Sequence, residues 1–287
     1  MLSASALALG GLATRGASPL EGASLESLEA AVVPGRLKQS VSRWCFNSIP
    51  LPEFARAVKQ IGLMGIDLLQ PDEWAVVRDA GLVPTMGYPA NRNDFIPTGW
   101  NDTANHAMLL RELETTLPRA KREQVPNVIG MFGNRKGKSD AEGAANCVAG
   151  LRKAAPMLED HGITLCIELL NSKVDHADYQ GDRTAFGAAV IRAVGSPRVK
   201  LLYDIYHMQI MEGDVIRTLR TNLDAIGHFH TAGVPGRNEI DGTQELDYRA
   251  VSRAIAETSF TGYLAHEFIP KREPLVSLRE AAGICNV

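Results

Sequence analysis

Thr164-Leu-Cys-Ile-Glu168, Lys200-Leu-Leu-Tyr-Asp204, His228-Phe-His-Thr231 and Gly262-Tyr-Leu-Ala-His-Glu267 are four short apolar runs, each carrying an acid or a histidine near its C-terminal end. Each run has the length of a buried strand, and helix-like segments separate them. These are Thr184–Val194, stopping at Gly195, Val215–Ala225, stopping before Gly227, and Tyr248–Thr258. Short apolar runs that alternate with helical patterns and end in glycine turns imply parallel strands covered by helices. Upstream the pattern continues. Lys38–Trp44, Gly65-Ile-Asp-Leu-Leu69, Leu82-Val-Pro-Thr-Met86 and Asn127-Val-Ile-Gly-Met131 read as strands one to four. Pro52–Ile61, Asn101–Gln124 and Ser139–Asp160 read as helices, the last opening with the capping pair Ser139 and Glu142. Eight such units within about 250 residues favour a closed (β/α)8 TIM barrel, an α/β fold, over an open sheet. No GxGxxG or GxxxxGK[ST] follows any strand, which argues against a nucleotide-binding open sheet.

The bulk composition agrees. The chain has 287 residues, 45% apolar and 22% charged, with a net charge of −3, as expected of a folded globular protein. That charge does not favour nucleic acid or an anionic membrane as a partner. Cys45, Cys147, Cys166 and Cys285 form no CxxC pair, so neither a disulfide framework nor a structural zinc site is expected. Cys147 and Cys166 lie in apolar stretches and read as small buried hydrophobes. No apolar run reaches the roughly 20 residues that span a bilayer. Residues 1–36 are expected to lie outside the fold, as a disordered leader or the remnant of an export signal. Residues 37–287 then form one catalytic barrel domain. A cytoplasmic location is expected, or export if residues 1–18 are a truncated signal.

In a TIM barrel the active site lies at the C-terminal ends of the strands. Glu168, Asp204 and Glu267 close strands five, six and eight, and His228 and His230 sit on strand seven. These strands are neighbours, so their ends converge. Three carboxylates and an imidazole meeting there repel one another unless a cation sits among them. Glu168, Asp204, His230 and Glu267 are therefore the expected metal ligands. Oxygen-rich ligation with one histidine suits Mg²⁺ or Mn²⁺, with Co²⁺ a further candidate, and no organic cofactor is needed. Strand alternation places His228 and His230 on one face, with Phe229 toward the helices. His230 lies nearer the strand end and is the better ligand. His228 should be a hydrogen-bonded core residue one layer deeper, and His266 should face the helix layer. Beyond the strands, His207 and Arg237 are expected to touch substrate. The arginine fork suits a carboxylate, phosphate or hydroxyl. Glu245 is expected to lie outside the catalytic set.

Ile167-Glu-Leu-Leu-Asn171, Tyr203-Asp-Ile-Tyr-His-Met-Gln209, Gly227-His-Phe-His-Thr-Ala232 with Pro235-Gly-Arg237, and the Gly262…Pro270 stretch resemble the motifs of the hydroxypyruvate isomerase family. That family is part of the xylose isomerase-like TIM-barrel superfamily of sugar isomerases and epimerases. The resemblance covers about residues 38–270 and is strongest from Cys166 onward. It implies one divalent metal on Glu168, Asp204, His230 and Glu267, with Glu168 and Glu267 as acid and base and His207 and Arg237 on the substrate. Two departures stand out. His230 occupies a position where hydroxypyruvate isomerases often carry Gln and ketose epimerases carry His. Ala232-Gly-Val-Pro-Gly-Arg237 lacks the family's acidic residue after the alanine.

The implied chemistry is isomerisation of a small hydroxy-carbonyl compound through an enediolate, foremost hydroxypyruvate to tartronate semialdehyde. The alternatives are a ketose 3-epimerase, or a sugar isomerase or dehydratase of the same superfamily. An apurinic-site endonuclease needs many more His and Asp ligands. The non-enzymatic alternative is a degenerate barrel acting as a binding module, and a homo-oligomer is compatible with all of these.

Overall fold

The computed structural model describes residues 35–287. The leader expected over residues 1–36 therefore falls outside the described residues, apart from Gly35 and Arg36. Eight parallel strands form the sheet: β1 (Lys38–Ser42), β2 (Gly65–Asp67), β3 (Val83–Pro84), β4 (Asn127–Met131), β5 (Thr164–Glu168), β6 (Val199–Asp204), β7 (Ile226–Thr231) and β8 (Tyr263–His266). Their order is β3-β2-β1-β8-β7-β6-β5-β4. The seam between β3 and β4 closes through Gly87, whose N–H donates to Asn127 O and whose carbonyl accepts from Ile129 N, both at 3.0 Å. A Cβ at Gly87 would sit 2.5 Å from Trp74 Cζ2, so only glycine lets the indole lie on the seam.

The helices are α1 (Leu51–Ile61), α2 (Trp74–Asp79), α3 (His106–Arg122), α4 (Asp140–His161), α5 (Thr184–Val194), α6 (Ile205–Met211), α7 (Val215–Thr221), α8 (Tyr248–Ala256) and α9 (Pro274–Ile284). Ser139 caps α4 as its sequence implies, its Oγ accepting from Glu142 N at 3.2 Å. Gly62, Gly162 and Gly195 end α1, α4 and α5 in the left-handed region. No helix among the described residues is long and apolar enough to cross a membrane.

Four strands are shorter than expected, β8 by one residue at each end. β1 ends at Ser42 because Arg43–Phe46 tightens into a 3₁₀ turn. β2 ends at Asp67 because Leu68 adopts φ 51°, which strand geometry does not allow. β3 is reduced to two residues around Pro84, which has no N–H to give. Three helices, α2, α6 and α9, were not anticipated. The first two span only six and seven residues, too short for a helical period to show.

The barrel interior and the shell between strands and helices together form the core. Phe229 points outward as expected, its ring 4.8 Å from Phe260 and 5.8 Å from Tyr203. Cys147 and Cys166 are fully buried.

The α3–α4 contact provides a test of packing against propensity. Gly150 lies inside α4, where alanine is ordinarily better by roughly 1 kcal/mol. A methyl there would come 2.7 Å from both His106 Nε2 and Trp100 Cε3, on two buried rings. Overpacking costs about 1–3 kcal/mol, so Gly150→Ala should lower the urea midpoint. A midpoint unchanged or raised would show that these rings yield freely.

Candidate active site

Glu168 and Asp204 are the last residues of β5 and β6, and His230 is the penultimate residue of β7. Glu267 follows β8 and extends its ladder, its N–H donating to Thr231 O at 2.9 Å. A register shift between Leu201 and Leu202 sets Asp204 directly opposite His230. One ligand atom from each of the four residues lies within 4.8 Å of those of the others, and all four side chains are buried. His230 Nδ1 lies 2.7 Å from Glu267 Oε2, 3.5 Å from Glu168 Oε1 and 4.0 Å from Asp204 Oδ2.

Positive charge and donors surround this cluster. Arg237 Nη2 donates to Glu267 Oε2 at 2.7 Å and lies 3.5 Å from Asp204 Oδ2. Its guanidinium stands 5.3 Å from the ring centres of both Trp44 and Tyr206. Trp44 Nε1 donates to Glu267 Oε1 at 2.6 Å, so both oxygens of Glu267 are engaged. Burial pushes the Glu168 carboxyl up and the Asp204 carboxyl up to about 7. Burial opposes ionisation at Glu267 too, but Arg237 and His230 hold its carboxyl well below the usual range. Burial disfavours His230 as a cation, yet Glu267 and Asp67 raise its imidazole well above the ordinary value.

The donor set fits a divalent cation. Asp204 Oδ2 and His230 Nδ1 are buried without a hydrogen-bond partner, although His230 and Glu267 are close, because their contact is off the hydrogen-bond direction. Lone pairs that converge without donors between them are what a cation satisfies.

The other histidines divide. His266 faces the helix layer as expected, between Thr231 Oγ1 at 3.0 Å and Gln39 Oε1 at 2.9 Å. Burial depresses its pKa to about 3. His228 is buried beneath His230, but the hydrogen bonds expected of it are absent. Its Nε2 lies 3.3 Å from Asp67 Oδ2 off the bonding direction, and neither ring nitrogen has a partner. His207 is placed differently from the expected substrate contact. It is fully buried and is not among the residues lining the cavity, because α6 starts immediately after Asp204 and turns it inward. Asn171 Oδ1 accepts from Val174 N and Asp175 N, which fixes the amide so that Nδ2 donates to His207 Nδ1 at 2.6 Å. The proton of His207 then sits on Nε2, 3.6 Å from Asp204 Oδ2. Glu245 is exposed and accepts from Gln209 Nε2, away from the cluster.

A cavity of about 720 Å³ opens over the cluster. Glu168, Glu267, Arg237 and Trp44 line it, together with Tyr88, Arg92, Phe95, Asn134 and His176 from the loops. Sequence reading missed these loop residues, and also Trp44 and Asp67. Asp67 carried a usable signal, since it is an acid within an apolar strand, as Glu168 is.

The family described as xylose isomerase-like TIM barrel matches residues 72–284. A human protein provisionally named hydroxypyruvate isomerase is 26% identical over 261 residues, which is 86% of this chain and 94% of that one. The hydroxypyruvate isomerase of Escherichia coli (strain K12) is 36% identical over 138 residues, 47% of this chain and 52% of that one. Among solved structures, an AP endonuclease of family 2 from Brucella melitensis aligns with a TM-score of 0.74 at 22% identity, covering 84% of this chain and 97% of that chain. At such identity the likeness speaks for the fold alone.

The Arg237 contacts predict a charge-dependent stability. In chelator, Arg237→Leu leaves Glu267 and Asp204 buried without their guanidinium. Breaking a buried pair in this way costs about 3–5 kcal/mol, readable by chemical denaturation. A loss below about 1 kcal/mol would mean that water, rather than the arginine, compensates these carboxylates.

Proposed function

The chain belongs to the xylose isomerase-like TIM barrel family, and from that premise we propose that it is a metal-dependent isomerase of small hydroxy-carbonyl compounds, foremost of hydroxypyruvate. The observation that carries this reading is the convergence of Glu168, Asp204, His230 and Glu267 within 4.8 Å beside a substrate-sized cavity. The two relatives named as hydroxypyruvate isomerases support the substrate.

Those four residues would hold the cation, with Mg²⁺, Mn²⁺ and Co²⁺ suited to the ligand set. A divalent ion there supplies Lewis acidity to a carbonyl and its neighbouring hydroxyl. Glu168 is the better proton acceptor. It lines the cavity, and its nearest ionic partner is His230 at 3.5 Å, whereas Trp44 and Arg237 tie up both oxygens of Glu267. Glu168 removes the proton from the carbon beside the carbonyl, giving an enediolate. Glu168, now protonated, returns the proton to the former carbonyl carbon, since Glu267 stays ionised between Trp44 and Arg237, and the proton of the substrate hydroxyl passes to the former carbonyl oxygen. Arg237 steadies Glu267 and places positive charge beside the developing oxyanion. The backbone N–H of His207 donates to Asp204 Oδ1 at 3.2 Å and holds that carboxylate at the strand end. The chemistry needs no organic cofactor and no nucleic acid.

One observation favours a second reading. A cavity of about 720 Å³ holds far more than a three-carbon acid, since pockets of roughly 300–1,000 Å³ hold drug-sized ligands. A ketose 3-epimerase would use the same residues and more of this space.

The test is turnover of hydroxypyruvate and of free ketoses by metal-stripped protein resupplied with Mn²⁺ or Mg²⁺. Activity should depend on the ion. Glu168→Gln should abolish it and Glu245→Gln should leave it measurable. Near wild-type rates in Glu168→Gln would refute the proton-transfer scheme, and a higher kcat/KM on ketoses would select the second reading.

A further inference from the structure

Asp67 ends β2, and β1 and β8 lie between it and β7 in the barrel. Its side chain is fully buried, and it is not among the residues that line the cavity. Two groups clamp its carboxylate. His230 Nε2 donates to Oδ2 at 2.8 Å, and Thr85 Oγ1 donates to Oδ1 at 2.6 Å. His228 Nε2 stands 3.3 Å from the same Oδ2.

We infer that Asp67 is the positioning residue that makes His230 a metal ligand, an inference that rests on the metal reading proposed above. An imidazole can give a metal one lone pair, and its proton must then sit on the other nitrogen. A carboxylate accepts but cannot donate, so Asp67 fixes that proton on Nε2. Nδ1 is left as the donor atom, on the side of the ring that faces Glu168, Asp204 and Glu267. The negative charge also raises the basicity of the ring, as such carboxylate partners do behind metal-bound histidines. The Thr85 hydroxyl stops the carboxylate from rotating away. A carboxylate with no such task is an expensive group to bury in the barrel interior, where an apolar side chain would pack without penalty. Asp67 does not line the cavity, and its hydrogen bond to the cluster is the one to His230.

The experiment is calorimetric titration of metal-stripped full-length protein with Mn²⁺, paired with melting temperatures measured in chelator. Asp67→Asn keeps the shape and an acceptor oxygen but loses the charge. It should weaken Mn²⁺ binding by about 10–100-fold, the usual size of such effects. Thr85→Val leaves every charge in place and should weaken binding by a smaller factor. It stands in if Asp67→Asn does not fold. A purely structural role predicts a lower melting temperature with unchanged Mn²⁺ affinity, and that result in either folded variant overturns the inference while the metal reading stands. Wild-type protein that takes up no Mn²⁺ overturns both.

Discussion

Three carboxylates that share a buried pocket must have positive charge between them or around them. Desolvation removes the water that would otherwise screen their repulsion, and each acid then either takes up a proton or finds a cation. Glu168, Asp204 and Glu267 are in this position. The protein partly meets the constraint with its own groups: Arg237 at Glu267 and Asp204, Trp44 at the other oxygen of Glu267, and His230 in the centre. It leaves Asp204 Oδ2 and His230 Nδ1 without hydrogen bonds. A structure that needed only neutrality would be expected to close these gaps. Leaving them open is consistent with a place kept for a cation.

The barrel explains how residues so far apart in sequence come together. Parallel strands bring every C-terminal end to one face, and the register shift in β6 and β7 sets Asp204 level with His230. The supports come from outside the four strands that carry the ligands. Trp44 arrives because β1 breaks early into a tight turn, and Arg237 arrives on the loop after β7. Asp67 arrives from β2, on the far side of β1 and β8.

Most of the fold was legible in the sequence because strand and helix periods are local. β4, β5 and α5 begin and end where the apolar runs do. The misses have local causes that hydrophobic periodicity does not record, such as the left-handed Leu68 and the missing N–H of Pro84. At the site, position at the C-terminal ends of neighbouring strands singled out Glu168, Asp204, His230 and Glu267, and the structure brings them together. The contacts that were not legible cross the barrel. Trp44 meets Glu267 over a separation of 223 residues and Asp67 meets His230 over 163. No periodicity encodes such pairs. His207 was misplaced because α6 begins at the strand end, where an open loop was expected.

The central claim is that the four-residue cluster is a cation site. Anomalous diffraction at the manganese edge, from crystals of metal-stripped protein soaked in Mn²⁺, addresses it without reference to substrate. The account predicts one strong peak about 2.0–2.4 Å from carboxylate oxygens of Glu168, Asp204 and Glu267 and from His230 Nδ1. A cluster that stays empty at saturating Mn²⁺, with Arg237 still seated on Glu267, would contradict it.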